Sequence, residues 1–564
     1  MPATLGADRP GLPLQTLTIT TPRAPWPALL ALLLALAALA IRIQAASQPG
    51  LWADEIFSLA IATGHSLEHP AAAADSTLGD FVEPREAARP ETFRKYAEQE
   101  AHPAGAARVV RAVLLSDTSP PLYYLLLDRW TRAFGTSDAA LRLFSVWWAA
   151  LSLALLWLLG RELGGRRVAW TACLLFSFSP VAIYYSVEGR MYSLLWCLAL
   201  GLGWLTLRLS AEDVHPWQAA LWVVAGAAGL LTHYFFAFVW LACSAWLWLR
   251  GSPASRWRLV MLAGVTLLLV LPWYLQVPGS LARWRITGGW LNGDLHWPGA
   301  LRQPFVLAGS LLSGRSYMGG WRWSDRLATG LFVGLGIWMA GHGLLRRMFS
   351  ARSLLLWGWM AAACAGPLVF DLLRHTTTTE VPRYVLAALP AAMLLAALAI
   401  GQLPPRSSVL FLAAMLLLWL PGGQAVNARA PRPWEPYPEL GARLDSWARP
   451  GDLVLVASIP SGIVGVARYL RRDVPLISWV AQLGGRQVPG DLERLLRGRR
   501  RVALARIHDS GASTELDGWL RTHAHLLRRD QFHSSRAQVL YFAPLEGDSF
   551  FAPNPHPAAS HVAP

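Results

Sequence analysis

The chain has 564 residues, a formal net charge of +15, 54% hydrophobic residues, 29 tryptophans and only 15% charged residues. A membrane span needs about 20 apolar residues, and runs of that kind recur through most of this sequence, which excludes an ordinary soluble enzyme and indicates a polytopic membrane protein. The basic excess is almost entirely arginine, with Lys95 the sole lysine; it punctuates the loops instead of forming one polar face, which argues against a nucleic-acid partner.

In chain order, a polar tail over 1–25, assigned to the cytoplasm, precedes the apolar run Trp26–Ile41. This run is long for a signal peptide and leads at once into acidic sequence, so it reads as an uncleaved first span over 26–44. Just beyond it come Leu51, Trp52, Ala53, Asp54 and Glu55. A loop over 45–120 follows, with helix-like stretches at Glu91–Glu100 and Ala106–Leu115. A connection of that length is functional or disordered, and it is read as a partly ordered cap on the outer surface. It closes with Asp117, Thr118, Ser119, Pro120, Pro121, Leu122, Tyr123 and Tyr124.

Further spans are expected at 138–159, 168–180, 191–209, 217–232, 235–249, 259–275, 327–345, 353–370, 384–401 and 409–421, making about eleven in a transmembrane domain over 26–425. Arg302–Leu312, between the spans at 259–275 and 327–345, has the spacing of an interfacial helix. From Pro431 the pattern changes to short alternating runs: Gly441–Trp447, Leu453–Ser458, Val464–Leu470, Leu476–Trp479, Leu492–Leu496, Val502–Ile507, Glu515–Leu520 and Gln538–Phe542. Such alternation predicts an α/β domain over 431–546 with a mostly parallel sheet. A Pro- and Ala-rich tail over 547–564 is expected to be disordered.

With the N-terminus inside, Arg161, Arg166, Arg167, Arg250, Arg256, Arg258, Arg346, Arg347, Arg352 and Arg406 fall in inner loops, as the positive-inside rule expects. An odd number of spans then puts the C-terminal domain outside the cytoplasm. One outer loop dissents, with Arg283, Arg285, Arg302, Arg315 and Arg322. Cys173, Cys197, Cys243 and Cys364 all lie in predicted spans and read as packing residues.

No phosphate-binding P-loop, dinucleotide fingerprint, His-Glu-x-x-His, nucleophile elbow or Asp-x-Asp pair occurs. Polar residues instead cluster at the outer ends of spans. Asp54, Glu55 and Asp117 bracket the first loop; Glu188 and Arg190 lie in the turn Pro180–Tyr192; His233 and Tyr234 form the next outer turn; Arg374, His375, Glu380, Arg383 and Tyr384 lie in the turn before the span at 384–401. Acids and arginines converging on one leaflet suit deprotonation of a hydroxyl or amine beside a bound phosphate. Each residue also has a plainer reading: Asp54 and Glu55 end a span, Asp117 caps a turn, and the arginines anchor to headgroups. Tyr123, Tyr124, Tyr184 and Tyr185 read as interfacial aromatics.

The Asp-Glu pair, the Asp-x-x-Pro-Pro-Leu-Tyr-Tyr re-entry, the Ser186-x-Glu188-x-Arg190-Met191-Tyr192 turn, Thr232-His233-Tyr234-Phe235 and Pro382-Arg383-Tyr384 together resemble the glycosyltransferase 39 superfamily, which includes the protein O-mannosyltransferases and the lipid A aminoarabinose transferase. The resemblance covers roughly 26–401; Ser119 stands where many relatives have histidine. It implies a GT-C membrane fold, a sugar donor carried on polyprenyl phosphate, and Asp54 as the catalytic acid-type residue. An acceptor hydroxyl or amine would lose its proton to Asp54 and invert the anomeric centre. Arg190 and Arg383 would hold the departing phosphate. Glu55 or Asp117 would orient the acceptor, tune Asp54, or coordinate a divalent metal ion, with Asp54 and Asp117 as its ligands.

The implied partners are the lipid-linked donor, membrane lipids and an acceptor that is a glycan, lipid or protein. The implied location is the inner cell membrane, multi-pass, with site and C-terminal domain extracytoplasmic. The competing reading is a transporter or lipid flippase. Such proteins place ionisable residues mid-span, often in repeated halves, and neither feature is visible.

Overall fold

The computed structural model describes residues 26–117, 119–211, 214–293, 299–315, 321–427, 435–508, 513–532 and 537–551. The tail expected at 1–25, and the one at 547–564 from residue 552 onward, lie outside them.

Continuous apolar sequence has no stable alternative to helix in a bilayer, because every backbone N–H and C=O must be paired within its own segment. Each expected span is helical. Among the described residues six helices are long and apolar enough to cross a membrane: Asp138–Phe178, Tyr192–Leu209, Pro253–Leu281, Ser353–Arg374, Pro382–Ile400 and Pro405–Val426. The first contains two expected spans. It breaks at Gly164 and at Gly165, where φ is 76°, a conformation that favours glycine. Gly160 then lies against Ala169 and Trp157 against Trp170, so the two arms fold back on each other. Arg161, Arg166 and Arg167 sit at the bend.

Tyr192–Leu209 and Pro382–Ile400 are the most enclosed of these helices, whereas Pro253–Leu281 and Pro405–Val426 turn most of their surface outward. Exposed Leu268, Leu410 and Leu417 on the latter two provide the apolar face that lipid requires. Cys197, Cys243 and Cys364 are buried and unbridged. The expected interfacial segment is the helix Gly299–Ser313, with Leu301 and Phe305 exposed.

The first loop is an ordered cap. It contains the helices Ala53–Ala62 and Ala106–Ser116, fastened by the Arg111–Asp80 ion pair at 2.6 Å. The helix expected at Glu91–Glu100 is reduced to Pro90–Arg94 and one 3₁₀ turn, Lys95–Ala97.

Among the described residues the C-terminal domain has five strands, β1 Asp452–Ala457, β2 Leu476–Trp479, β3 Arg501–Ile507, β4 Ala524–Gln531 and β5 Ala537–Pro544, in the order β2-β1-β3-β5-β4. The expectation of a mostly parallel sheet holds for β2-β1-β3 alone; β5 runs antiparallel to both β3 and β4. Strand β4 was not anticipated. Its sequence, His525 to Gln531, carries Arg528, Arg529 and Asp530 and lacks apolar alternation. It is an exposed edge strand, where charges discourage pairing with other chains.

Cap and domain dock directly. Ala88 bridges to Leu476, the Arg94 guanidinium donates to the carbonyls of Ala467 and Leu470, and Arg468 pairs with Asp138 at 2.9 Å. The domain therefore lies on the same face of the membrane helices as Ala53–Ala62.

Candidate functional site

Asp54 and Glu55 occupy the first turn of Ala53–Ala62, where the helix dipole favours negative charge. Successive helical residues point about 100° apart, and here that separates two fates. Glu55 is fully buried. It accepts from Arg142 Nε and Nη2 at 2.8 and 2.7 Å, from the Gly189 N–H at 2.9 Å, and from the Trp52 N–H at 3.2 Å. Its carboxylate ties the cap to the helix Asp138–Phe178 and faces no open space. Asp54 keeps a quarter of its side chain exposed and pairs with Arg383 at 2.7 Å.

Arg383 sits among the rings of Trp290, Tyr384 and Trp52, with centroids 5.2, 5.6 and 5.7 Å from its guanidinium carbon. This arrangement pre-orients a planar cation. A second cluster adjoins it. Arg190 Nη1 lies 3.3 Å from Asp117 and donates to the Tyr124 hydroxyl at 3.1 Å and the Ser58 hydroxyl at 3.3 Å. The Tyr124 hydroxyl in turn donates to Asp117. Ser58 links the clusters by donating to the Asp54 carbonyl at 2.9 Å.

His233 completes this wall. Its Nδ1 accepts the Phe235 N–H at 3.1 Å, which leaves the ring proton on Nε2. Burial first, and then the Arg190 charge, push its pKa down to about 4, so the ring is neutral near pH 7. A cavity of about 210 Å³ lies beside Pro382, the residue before Arg383; Gln303, Val306, Leu307, Ser310, Arg315 and Glu380 also line it. Apolar side chains, Arg315 and Glu380 thus share one groove next to Arg383.

The fold brings together Asp54, Asp117, Arg190, His233 and Arg383. Glu188 is buried beside Tyr185 and Tyr192. Tyr234 packs edge-on against Tyr274, their centroids 5.9 Å apart, and Arg374 is exposed at the end of its helix. Tyr123, Tyr124, Tyr184 and Tyr185 are not interfacial: all four are buried, because the cap and the neighbouring helices cover the span ends. Arg142, Trp52 and Trp290 carried no sequence signal of their roles. Arg285, in the dissenting outer loop, donates to the carbonyls of Leu115 at 3.0 Å and Leu114 at 3.2 Å; its charge is used in tying that loop to the cap.

The residues do not fit the expected divalent ion. Asp54 and Asp117 each face an arginine, and among the described residues no group of three or more His, Cys, Asp or Glu side chains is placed to hold a metal.

Residues 118–275 match the family model described as dolichyl-phosphate-mannose-protein mannosyltransferase. No curated protein matches the chain by sequence. The fold is similar to the crystal structure of ArnT from Cupriavidus metallidurans in the apo state, at 13% identity and a TM-score of 0.56. The alignment covers 92% of this chain and 98% of that one. The same protein bound to undecaprenyl phosphate gives a TM-score of 0.52 at the same identity and coverage. The family match over 118–275, together with this likeness of fold, bears out the resemblance read from the motifs.

Proposed function

From this GT-C fold, carried by an integral membrane protein, we propose that the chain moves a sugar from a polyprenyl-phosphate donor to an acceptor on the outer side of the membrane, with inversion and with Asp54 as base. The observation that carries the reading is the juxtaposition of the partly open Asp54 carboxylate with Arg383 and Arg190, next to a groove that combines apolar side chains with Arg315 and Glu380. A structural relative bound to undecaprenyl phosphate supports the choice of donor.

In the reaction the acceptor O–H or N–H attacks the anomeric carbon. The new bond forms as the C1–O–phosphate bond breaks, the acceptor proton passes to Asp54, and polyprenyl phosphate departs with the bonding electrons. A phosphate is a competent leaving group without protonation, so a base and a cationic clamp suffice. Arg383 holds Asp54 in the resting site and can exchange that carboxylate for the donor phosphate, freeing the base as the donor binds. Arg190, fixed by Asp117, Tyr124 and Ser58, supplies a second cation where charge develops. His233, neutral, offers an N–H without adding charge.

The test is transfer by purified full-length protein in liposomes, using a panel of polyprenyl-phosphate sugars and an envelope extract as acceptor. Release of polyprenyl phosphate by wild type but not by Asp54→Asn is expected. Equal release by both would remove Asp54 as base, and release by neither would remove the reaction.

A further inference from the structure

β1, β2 and β3 run parallel, and at their carboxyl ends lies a small cavity walled by Ser458, Trp479, Gln482, His508 and Ser513. The chain leaves β1 for β2 on one side, while β3 lies on the other. A crevice outside the strand ends at such a switch point is where open α/β sheets take ligands. The cavity has a volume of about 10 Å³, enough for one hydroxyl-sized group of a larger ligand lying across its mouth.

Ser458 is only 7% exposed, and its hydroxyl meets no partner among the described residues. A buried hydroxyl left unpaired costs free energy, so a group that completes it is favoured there. Gly462 keeps this wall open: a Cβ at that position would lie 1.8 Å from Ser458 Oγ.

One wall of the cavity is tied to the membrane site by direct contacts. His508 Nε2 lies 2.8 Å from Glu435 Oε1, an ion pair without linear hydrogen-bond geometry, and Glu435 Oε2 accepts the N–H of Ala53, the residue before Asp54. The helix Pro460–Tyr469, which begins beside the cavity, packs on Ala53–Ala62.

The polar part of the lining is two hydroxyls, one amide and a histidine facing a carboxylate; Ala457, Trp479 and Ala481 complete it. Arg486, near the Trp479 ring, is paired with Glu83 at 3.6 Å. Among the described residues a phosphate or carboxylate would find no uncompensated cation there, whereas a sugar hydroxyl both donates and accepts and matches Ser, Gln and His.

We propose that this cavity is an acceptor subsite that takes a sugar hydroxyl, so that the acceptor is a carbohydrate laid between the C-terminal domain and Asp54. The proposal rests on the glycosyl-transfer reading and deepens it. It is tested by saturation-transfer NMR on the full-length protein in detergent, with methyl glycosides of glucose, galactose, mannose and N-acetylglucosamine, and with inorganic phosphate as competitor. At least one glycoside should bind, and Ser458→Ala and Gln482→Leu should each weaken it about fivefold, the loss of one hydrogen bond. Thermal unfolding of Ser458→Ala should occur at or above the wild-type midpoint, because the deleted hydroxyl is buried and has no partner among the described residues.

Absence of glycoside binding, binding unchanged in both variants, or displacement by phosphate would overturn the proposal. Polyprenyl-phosphate release, measured on the same preparations, separates the two readings. Normal release without Ser458-dependent glycoside binding sinks the subsite alone. Ser458-dependent binding without release sinks the transfer reaction and leaves a carbohydrate site.

Discussion

The Asp54 carboxylate lies 2.7 Å from Nη1 of Arg383, two residues 329 positions apart in the chain. The pairing sets a partly open carboxylate and a cation side by side where the cap meets the membrane helices. Asp54→Asn preserves shape but loses proton-accepting capacity, and removing a base of this kind should lower transfer about 10²–10⁴-fold. Arg383→Lys keeps the charge but loses the planar fork among Trp52, Trp290 and Tyr384. It should cost at least about tenfold, the equivalent of 1.4 kcal/mol. Initial rates of polyprenyl-phosphate release check both, and wild-type rates in either variant would count against the assigned role.

Glu55 predicts a different kind of failure. It and Arg142 are both almost fully buried and paired at 2.7 Å. Removing one partner strands the other, at a cost of about 3–5 kcal/mol. Glu55→Gln should therefore lower the midpoint of thermal unfolding in detergent, and whatever folded fraction remains should retain transfer activity. A stable but inactive Glu55→Gln protein would instead place Glu55 in the chemistry.

Tyr124→Phe removes one hydroxyl that donates to Asp117 and accepts from Arg190. Hydrogen bonds to charged groups contribute about 1.5–3 kcal/mol. If that orientation matters mainly in the transition state, the rate of transfer falls roughly 10- to 100-fold with little change in donor KM. A rise in KM alone would mean that Arg190 binds the donor equally in ground and transition states.

These three residues also mark what was legible before the fold was known. Asp54 stood out because an acid directly after a first span, followed by a polar loop and a Pro-Pro re-entry, is locally recognisable. Arg142 did not, since it lies within an apolar run and its burial depends on Glu55 arriving from the cap. Tyr124 looked interfacial because aromatic residues at span ends commonly are; only the cap, whose packing no local pattern encodes, puts it indoors. In the same way β1, β2, β3 and β5 announced themselves by apolar runs, while β4 is held by backbone pairing to β5 and carries charge instead of apolar alternation. Long-range pairing, which decided the site's geometry, is what periodicity cannot report.

Glu68 gives the cap a pH dependence. The residue is fully buried, one oxygen accepts the Thr287 N–H at 3.0 Å, and burial raises its pKa from 4.5 to about 7, opposed by the Thr287 and Ile286 backbone and by Arg285. The folded state thus holds this proton more tightly than the unfolded chain, so Glu68 lends stability that is full below pH 4.5 and lost as pH rises through 7. His65 acts oppositely: burial lowers its pKa from 6.5 to about 4, so its share of stability rises with pH across that interval. The two slopes offset each other below 6.5. Glu68→Gln should therefore gain stability relative to wild type between pH 5 and 8, on the order of 3 kcal/mol for a shift of this size. Unfolding midpoints across that range decide it, and a pH-independent difference would refute the assignment.

Glu435 couples the C-terminal domain to Asp54. Its carboxylate accepts the Ala53 N–H and faces His508, so the first turn of Ala53–Ala62 is held from outside the membrane domain. Glu435→Gln keeps an oxygen for Ala53 but loses the charge that favours a helix N-terminus and holds His508. Loosening of about 1–2 kcal/mol at that turn would misdirect Asp54 and lower kcat about 5- to 30-fold, with donor KM unchanged because Arg383 and the groove are untouched. Glu435→Asp, which restores the charge on a shorter arm, should recover part of the loss. A purely structural residue would instead show a fall in unfolding midpoint that Asp rescues without any change in kcat per folded molecule, and that pattern would remove Glu435 from the positioning of the base.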